Sequence, residues 1–184
     1  SISATGEGIP ACVELLRRLM EASGVDVQVF SGAGPPMLYG EVLSPGAERT
    51  ILVYGHYDVQ PPDPLDEWIS PPFDPTVRDG KIYARGSGDN KGQLFAQLKG
   101  VEAVLRSRGE LPVNVKFLFE GGEEIGSPDI PTFVSEHLYL LACDLVCCAD
   151  NHHSYGPRPE VIFGVRGILY LELTAEGPSF DRHS

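Results

Sequence analysis

The sequence predicts a layered α/β domain, with helices packed against a largely parallel or mixed sheet. Short continuous apolar runs at residues 50–54, 113–119 and 145–149 read as strands buried in a sheet. Amphipathic stretches with helical spacing alternate with those runs, and that alternation is the mark of a layered α/β architecture. Third, His56, Asp58, Asp89, Glu123, Glu124 and Asp150 all lie at or just after short apolar runs. Strand ends are where one scaffold can aim several side chains at a common point.

Taken in order, residues 8–23 form the first expected helix. Cys12, Leu15, Leu16 and Leu19 fall at i, i+3, i+4 and i+7, and Gly24 stops it. Val25, Val27 and Val29 alternate with Asp26 and Gln28, which predicts a half-buried strand. Residues 37–43 read as a second, weaker strand, and residues 50–54 as a central one. Between Pro61 and Pro75 lie six prolines together with Trp68 and Phe73. A long irregular loop of that kind is usually functional or disordered, and the aromatics argue for a packed one. Residues 77–82 read as a hairpin turning at Asp79-Gly80. A helix is expected over 90–108, with Leu94, Leu98, Val101 and Leu105 inward and Gly109 ending it. Another is expected over 129–141, with Pro131 in its first turn. In the last stretch Leu169, Leu171 and Leu173 alternate with polar neighbours, as in a sheet with one wet face.

Composition narrows the function. A hydrophobic fraction of 42% supports a real core, yet no run approaches the roughly 20 residues a membrane span requires. The net charge of −12 opposes phosphate backbones and anionic membranes, so neither nucleic acid nor membrane is expected as a partner. No cationic region precedes an apolar one at the start, so no signal peptide is read and a cytoplasmic location is expected. Cys12, Cys143, Cys147 and Cys148 are expected to be reduced, buried thiols; C-x3-C-C is a poor match to a zinc-binding pair spacing.

The chemistry resides in four segments. His56 and Asp58 stand two apart at a strand exit and point to the same face. Asp58 can then accept from the ring nitrogen of His56 that is not used for a metal, fixing the tautomer. Asp89 sits in the Gly-rich run Gly86-Ser87-Gly88-Asp89-Asn90-Lys91-Gly92. Gln93 follows Gly92 where a phosphate loop needs Ser or Thr, and the aspartate would itself repel phosphate. A carboxylate held between cations is the better use, with a simple helix N-cap as the plain alternative. Glu123 and Glu124 follow Glu120-Gly121-Gly122. Neighbouring glutamates diverge, so one can bind a metal while the other takes the proton of an attacking water. Asp150 ends its strand just before Asn151. One imidazole with several carboxylates suits zinc, manganese or cobalt, and points to a metal-dependent hydrolase.

These pieces, in this order, resemble the co-catalytic zinc peptidase family of carnosinase, cytosolic non-specific dipeptidase, acetylornithine deacetylase and carboxypeptidase G. The matching text is Gly55-His56-Tyr57-Asp58-Val59-Gln60-Pro61, Tyr83-Ala84-Arg85-Gly86 through Gly92, Glu120 through Ser127, and Ala149-Asp150-Asn151. Tyr57, Gln60-Pro61 and the Pro-rich loop with Trp68 resemble the dipeptidase branch. The resemblance implies a helix–sheet–helix catalytic domain over 1–167, with the start of an α+β lid and dimerisation domain over 168–184, entered at Arg166-Gly167. It implies two Zn2+, with Mn2+ or Co2+ as substitutes: His56, Asp89 and Asp150 on one ion, Asp89 and Glu124 on the other. Glu123 would be the general base, Asp58 the residue that orients His56, and His183 an oxyanion stabiliser working across a dimer interface. The peptide after Asp89 is often cis in that family. The adjacent His152 and His153 read as solvent-exposed.

One feature of the family is absent. Its second zinc takes a further histidine from a distal segment, and nothing in this sequence matches it. The expectation is an N-terminal part of a homodimeric dipeptidase that, alone, holds the second ion weakly and is inactive or nearly so. Two alternatives stay open: an N-acyl amino acid deacylase on the same centre, and a non-catalytic binding protein on the same scaffold.

Overall fold

Thirteen short elements follow one another along the computed structural model, which describes residues 1–150, 161, 162, 164, 167 and 169–177. Helix α1 (Ile9–Ala22) precedes β1 (Asp26–Phe30), β2 (Met37–Val42) and β3 (Thr50–His56). A single 3-10 turn (Leu65–Glu67) interrupts the Pro-rich loop before the hairpin of β4 (Thr76–Arg78) and β5 (Lys81–Tyr83). Next come α2 (Lys91–Arg108), β6 (Asn114–Glu120), a 3-10 turn (Glu123–Ile125), α3 (Ile130–Glu136), α4 (Leu138–Leu141) and β7 (Leu145–Cys148).

Five of the strands make one mixed sheet in the order β1-β2-β6-β3-β7. The pairs β1/β2 and β2/β6 are antiparallel, whereas β6/β3 and β3/β7 are parallel. Period-2 alternation decides what each face buries. Val53, Val115, Phe117 and Phe119 point to one side, against Val13, Leu16 and Met20 of α1 and Leu94 and Leu98 of α2. Leu52, Leu118, Met37 and Tyr39 point to the other side, against Phe133 of α3 and Leu141 of α4. The result is the expected helix–sheet–helix layering. Each fully buried side chain of this size contributes about 1.5–3 kcal/mol.

Several local expectations shift. On α1 the buried stripe is Ile9, Val13, Leu16 and Met20, while Leu15 is 53% exposed. Both stripes satisfy helical spacing, and only the sheet beneath selects between them. The helix expected over 129–141 breaks at His137, leaving α3 and α4. Strand β2, weak by pattern, is paired on both sides. Strand β5 belongs to the separate β4–β5 hairpin, where Asp79 and Gly80 have φ of 52° and 72° as a tight turn requires. The four cysteines are free, but Cys147 and Cys148 on β7 are exposed rather than buried. Among the described residues β7 pairs with β3 alone, and its side chains are left uncovered.

The chain divides into two units, residues 1–152 and 153–184. In the second, the described residues 169–177 adopt no regular strand. Alternation makes a strand possible, but a ladder partner makes it one, and none pairs with Leu169–Leu173 among the described residues. Residues 166 and 168, where the expected domain boundary falls, lie outside the described set. No helix among the described residues is long and apolar enough to cross a membrane.

Candidate metal centre

Register places three strand ends side by side. In the parallel pairs His56 stands opposite Glu120, and Tyr54 opposite Cys148. Two residues beyond Cys148, Asp150 therefore comes level with His56, and Glu123 and Glu124 begin just past the end of β6. Asp89 stands, as expected, on the Gly-rich loop leading into α2, and reaches the site from outside the five-stranded sheet. The peptide joining it to Asn90 is cis.

The ring of His56 is 0% exposed and has two faces of use. Its Nδ1 lies 3.2 Å from Asp58 Oδ1, so the N–H there donates to the equally buried Asp58. Nε2 lies 3.1 Å from Asp89 Oδ1 and 3.3 Å from Asp150 Oδ2; protonated it donates to these carboxylates, and deprotonated it offers a lone pair to a cation. Ligand atoms of His56, Asp89 and Asp150 all lie within 4.8 Å of one another. One neutral imidazole nitrogen facing two carboxylates, with its other nitrogen anchored, fits a divalent cation such as zinc. Glu123 Oε2 stands 3.8 Å from the same Nε2.

Asp58 does more than orient the ring. Its Oδ1 accepts from the backbone N–H of Glu123 at 3.3 Å, and its Oδ2 from that of Glu124 at 3.1 Å. One buried carboxylate thus ties the histidine strand to the glutamate loop. The carboxylate of Glu124 lies outside the group of three. Its Oε1 accepts from the Gln60 N–H at 3.2 Å, while Gln60 Nε2 donates to its carbonyl at 2.8 Å.

The charges are mutually dependent. Burial by itself would lower the His56 pKa, but the Asp58 hydrogen bond and the charges of Asp150, Asp58 and Glu123 outweigh it and raise it to about 9. Burial would raise Asp58, yet its bonds from His56 and the Glu124 amide hold it below the usual carboxylate range. Burial, reinforced by the charges of Asp150, Glu124 and Asp58, pushes Glu123 up. A carboxylate raised in this way is a better proton acceptor than an ordinary one.

Two residues were quoted only as parts of motifs, and the structure gives them work. Asn90 occupies the N-cap position of α2 but caps nothing with its side chain. Instead it is 1% exposed; its Nδ2 donates to Asp150 Oδ1 at 3.0 Å and to the Ala149 carbonyl at 3.2 Å. Its Oδ1 accepts from the His56 N–H at 3.3 Å. Asn90 therefore ties His56 to Asp150 and adjoins Asp89, the three residues placed so that they could hold a metal ion. Glu120, buried at the end of β6, accepts from the Tyr54 hydroxyl and, at 2.8 Å, from Ser127 Oγ. That closes the six-residue loop carrying Glu123 and Glu124. Spacing alone gives no hint of either role, because an Asn before a helix and a Glu after a strand usually face water.

Close packing holds the same loop from below. A Cβ on Gly121 would come within 2.4 Å of the Tyr57 ring, whose hydroxyl is fixed to the Pro36 carbonyl at 2.6 Å. Gly121→Ala is expected to destabilise the protein by about 1–3 kcal/mol and to lower activity beyond what the lost stability explains. Chemical denaturation beside steady-state kinetics at a temperature where the variant is folded would show both. His183, His152, His153 and Arg166 lie outside the described residues.

Several known proteins are similar to this chain. Residues 52–165 match the model of peptidase family M20/M25/M40. The chain is 35% identical over 153 residues to the Cys-Gly metallodipeptidase of Schizosaccharomyces pombe, covering 82% of this chain and 32% of that protein. Against the human Beta-Ala-His dipeptidase the figures are 36% over 152 residues, 82% and 30%. The crystal structure of an M20 family metallo-carboxypeptidase from Sulfolobus solfataricus superposes with a TM-score of 0.77 at 43% identity, covering 80% of this chain and 34% of that one. The chain spans about a third of the length of these relatives. The matched span, well over half of the chain, places this chain in peptidase family M20/M25/M40.

Proposed function

We propose that the complete protein hydrolyses an amide bond in dipeptides or short peptides, with His56, Asp89 and Asp150 holding a divalent cation and Glu123 acting as general base. The observation that supports this most is the meeting of those three ligand atoms beside a fourth, raised carboxylate. A cation bound there supplies Lewis acidity, lowering the pKa of water and polarising the scissile carbonyl. Glu123 takes the proton of the attacking water and returns it to the leaving amine. Asp58 fixes the His56 tautomer and aims the Glu123 backbone, and Asn90 keeps Asp150 at its distance from His56.

In this reading Zn2+ is the resident ion, with Mn2+ or Co2+ as substitutes. A second ion would use Asp89 and Glu124, which requires the Glu124 carboxylate to leave the Gln60 amide. His183 serves as oxyanion stabiliser, the domain boundary lies near residue 167, and the complete protein is a cytoplasmic homodimer. Likeness to proteins named as a Cys-Gly metallodipeptidase and a Beta-Ala-His dipeptidase supports peptides rather than N-acyl amino acids as substrates of this chain. A panel of dipeptides set against N-acetyl and N-succinyl amino acids tests it, using zinc-loaded full-length protein. Dipeptides are expected to be cleaved with kcat/KM at least about a hundredfold higher, the discrimination available when a site is built for polar groups the competitor lacks. Preference for the acylated substrates would move the assignment to a deacylase. Absence of any bound transition metal would leave a binding protein on the same scaffold.

A further inference from the structure

The Pro-rich loop and the β4–β5 hairpin border an open cleft of about 480 Å3, within the range that small-molecule sites occupy. Two arginines line it, each set over an aromatic ring. Arg78 Cζ lies 4.1 Å from the Tyr83 centroid, and Arg85 Cζ lies 5.2 Å from that of Trp68. A ring contact stabilises the cation but satisfies none of its five N–H donors. Arg85 donates to the Pro61 carbonyl at 3.3 Å, and its Nε is buried with no acceptor. Its charge is thus poorly compensated by its own protein.

Asp63 and Glu67 line the same pocket. Among the described residues none of these four charged groups is in an ion pair. Charges of both signs face one cavity without meeting, in a chain whose 26 acidic residues give every arginine a wide choice of partner. The complement of such a cavity is a small molecule bearing one carboxylate and one ammonium. A guanidinium fork matches a carboxylate in two directions at once, and the acids remain for the amine. Ser87 also lines the pocket and stands two residues before Asp89. Two residues of chain span at most about 7 Å, so the pocket borders the loop that bears a cation-binding residue.

We propose that this pocket is a second ligand site, which takes a free amino acid or dipeptide with its carboxylate on Arg78 and Arg85 and its ammonium toward Asp63 and Glu67. Binding there requires no turnover, and the proposal stands apart from the reading of the metal centre.

Calorimetric titration of the zinc-loaded full-length protein, carrying Glu123→Gln to stop hydrolysis, tests it with glycyl-L-leucine. Two sites per chain are expected in this parent. Arg78→Met, which keeps the aliphatic contact with Tyr83, should weaken one of them by about tenfold or more, the loss of a charge-assisted bond. The same peptide acetylated at one end and amidated at the other should lose that site as well. Glu67→Gln, at an exposed position where folding is not at risk, should weaken the free-amine peptide and leave its N-acetyl form unchanged. An Arg78→Met titration identical to that of the parent overturns the proposal, whether the parent shows one site or two; a single site that Arg78→Met weakens supports the pocket and counts against peptide binding at the metal centre. Equal binding of the doubly blocked peptide at the second site also overturns it, leaving only an apolar cleft.

Discussion

Glu123→Gln is expected to lower turnover of the complete protein by about 10²–10⁴-fold, the range a general base supplies, while its metal content stays unchanged. Glutamine keeps the shape and the hydrogen-bonding reach but cannot accept a proton. The loop should survive the change, because Asp58 grips it through the backbone N–H of Glu123 and Glu124, not through the carboxylate that is replaced. Ser127 and Glu120 close its other end. The Glu123 side chain is 38% exposed and faces the cation group from 3.8 Å without belonging to it. Metal analysis alongside kinetics on one preparation decides the matter. Loss of ions together with activity would make Glu123 a ligand instead of a base.

The second large effect belongs to His56→Ala. Removing the ring takes away the single imidazole of the cation group and strands Asp58, which is 0% exposed and loses its cationic partner. Breaking a buried pair in this way costs about 3–5 kcal/mol, so both metal retention and thermal stability should fall together. Asp58→Asn, by contrast, should retain part of both, because one oxygen still accepts from the glutamate loop.

The same histidine sets a pH dependence. In the metal-free protein its pKa is about 9, against an ordinary value of 6.5. A group raised on folding contributes stability that is fully present below the unfolded value and is lost as pH rises through the folded one. Metal-free protein should therefore lose stability between about pH 6.5 and 9, and His56→Ala should lack that decline. A cation and a proton compete for Nε2, so metal uptake in this window should release close to one proton, and affinity should climb with pH. Calorimetry in two buffers of different ionisation enthalpy measures the proton directly; no buffer dependence would contradict the assignment of Nε2 as a ligand.

Much of the site was readable before any coordinates. Strand ends are marked by apolar runs that stop, and His56, Asp58, Glu123, Glu124 and Asp150 each stand just past one. The hairpin at Asp79-Gly80 was equally plain, since few dipeptides accept two positive φ values in succession. Patterns of this kind are local: they follow from sterics, burial and periods of 2 and 3.6 that every stretch of chain obeys alone.

Non-local choices were hidden. Two helical stripes on α1 were equally good until the sheet took Val13 over Leu15. The Gly-rich loop before α2 delivers Asp89 as its sequence suggests, but no local pattern says that it meets His56 and Asp150. No local pattern marks Asn90 and Glu120 as buried, yet packing turns both inward. The chain's own letters thus settled which residues could do chemistry and roughly where the strands and helices run. Only the folded arrangement settled which carboxylates face His56, because that depends on strand register and on hydrogen bonds between segments 30 to 90 residues apart, which no local pattern encodes.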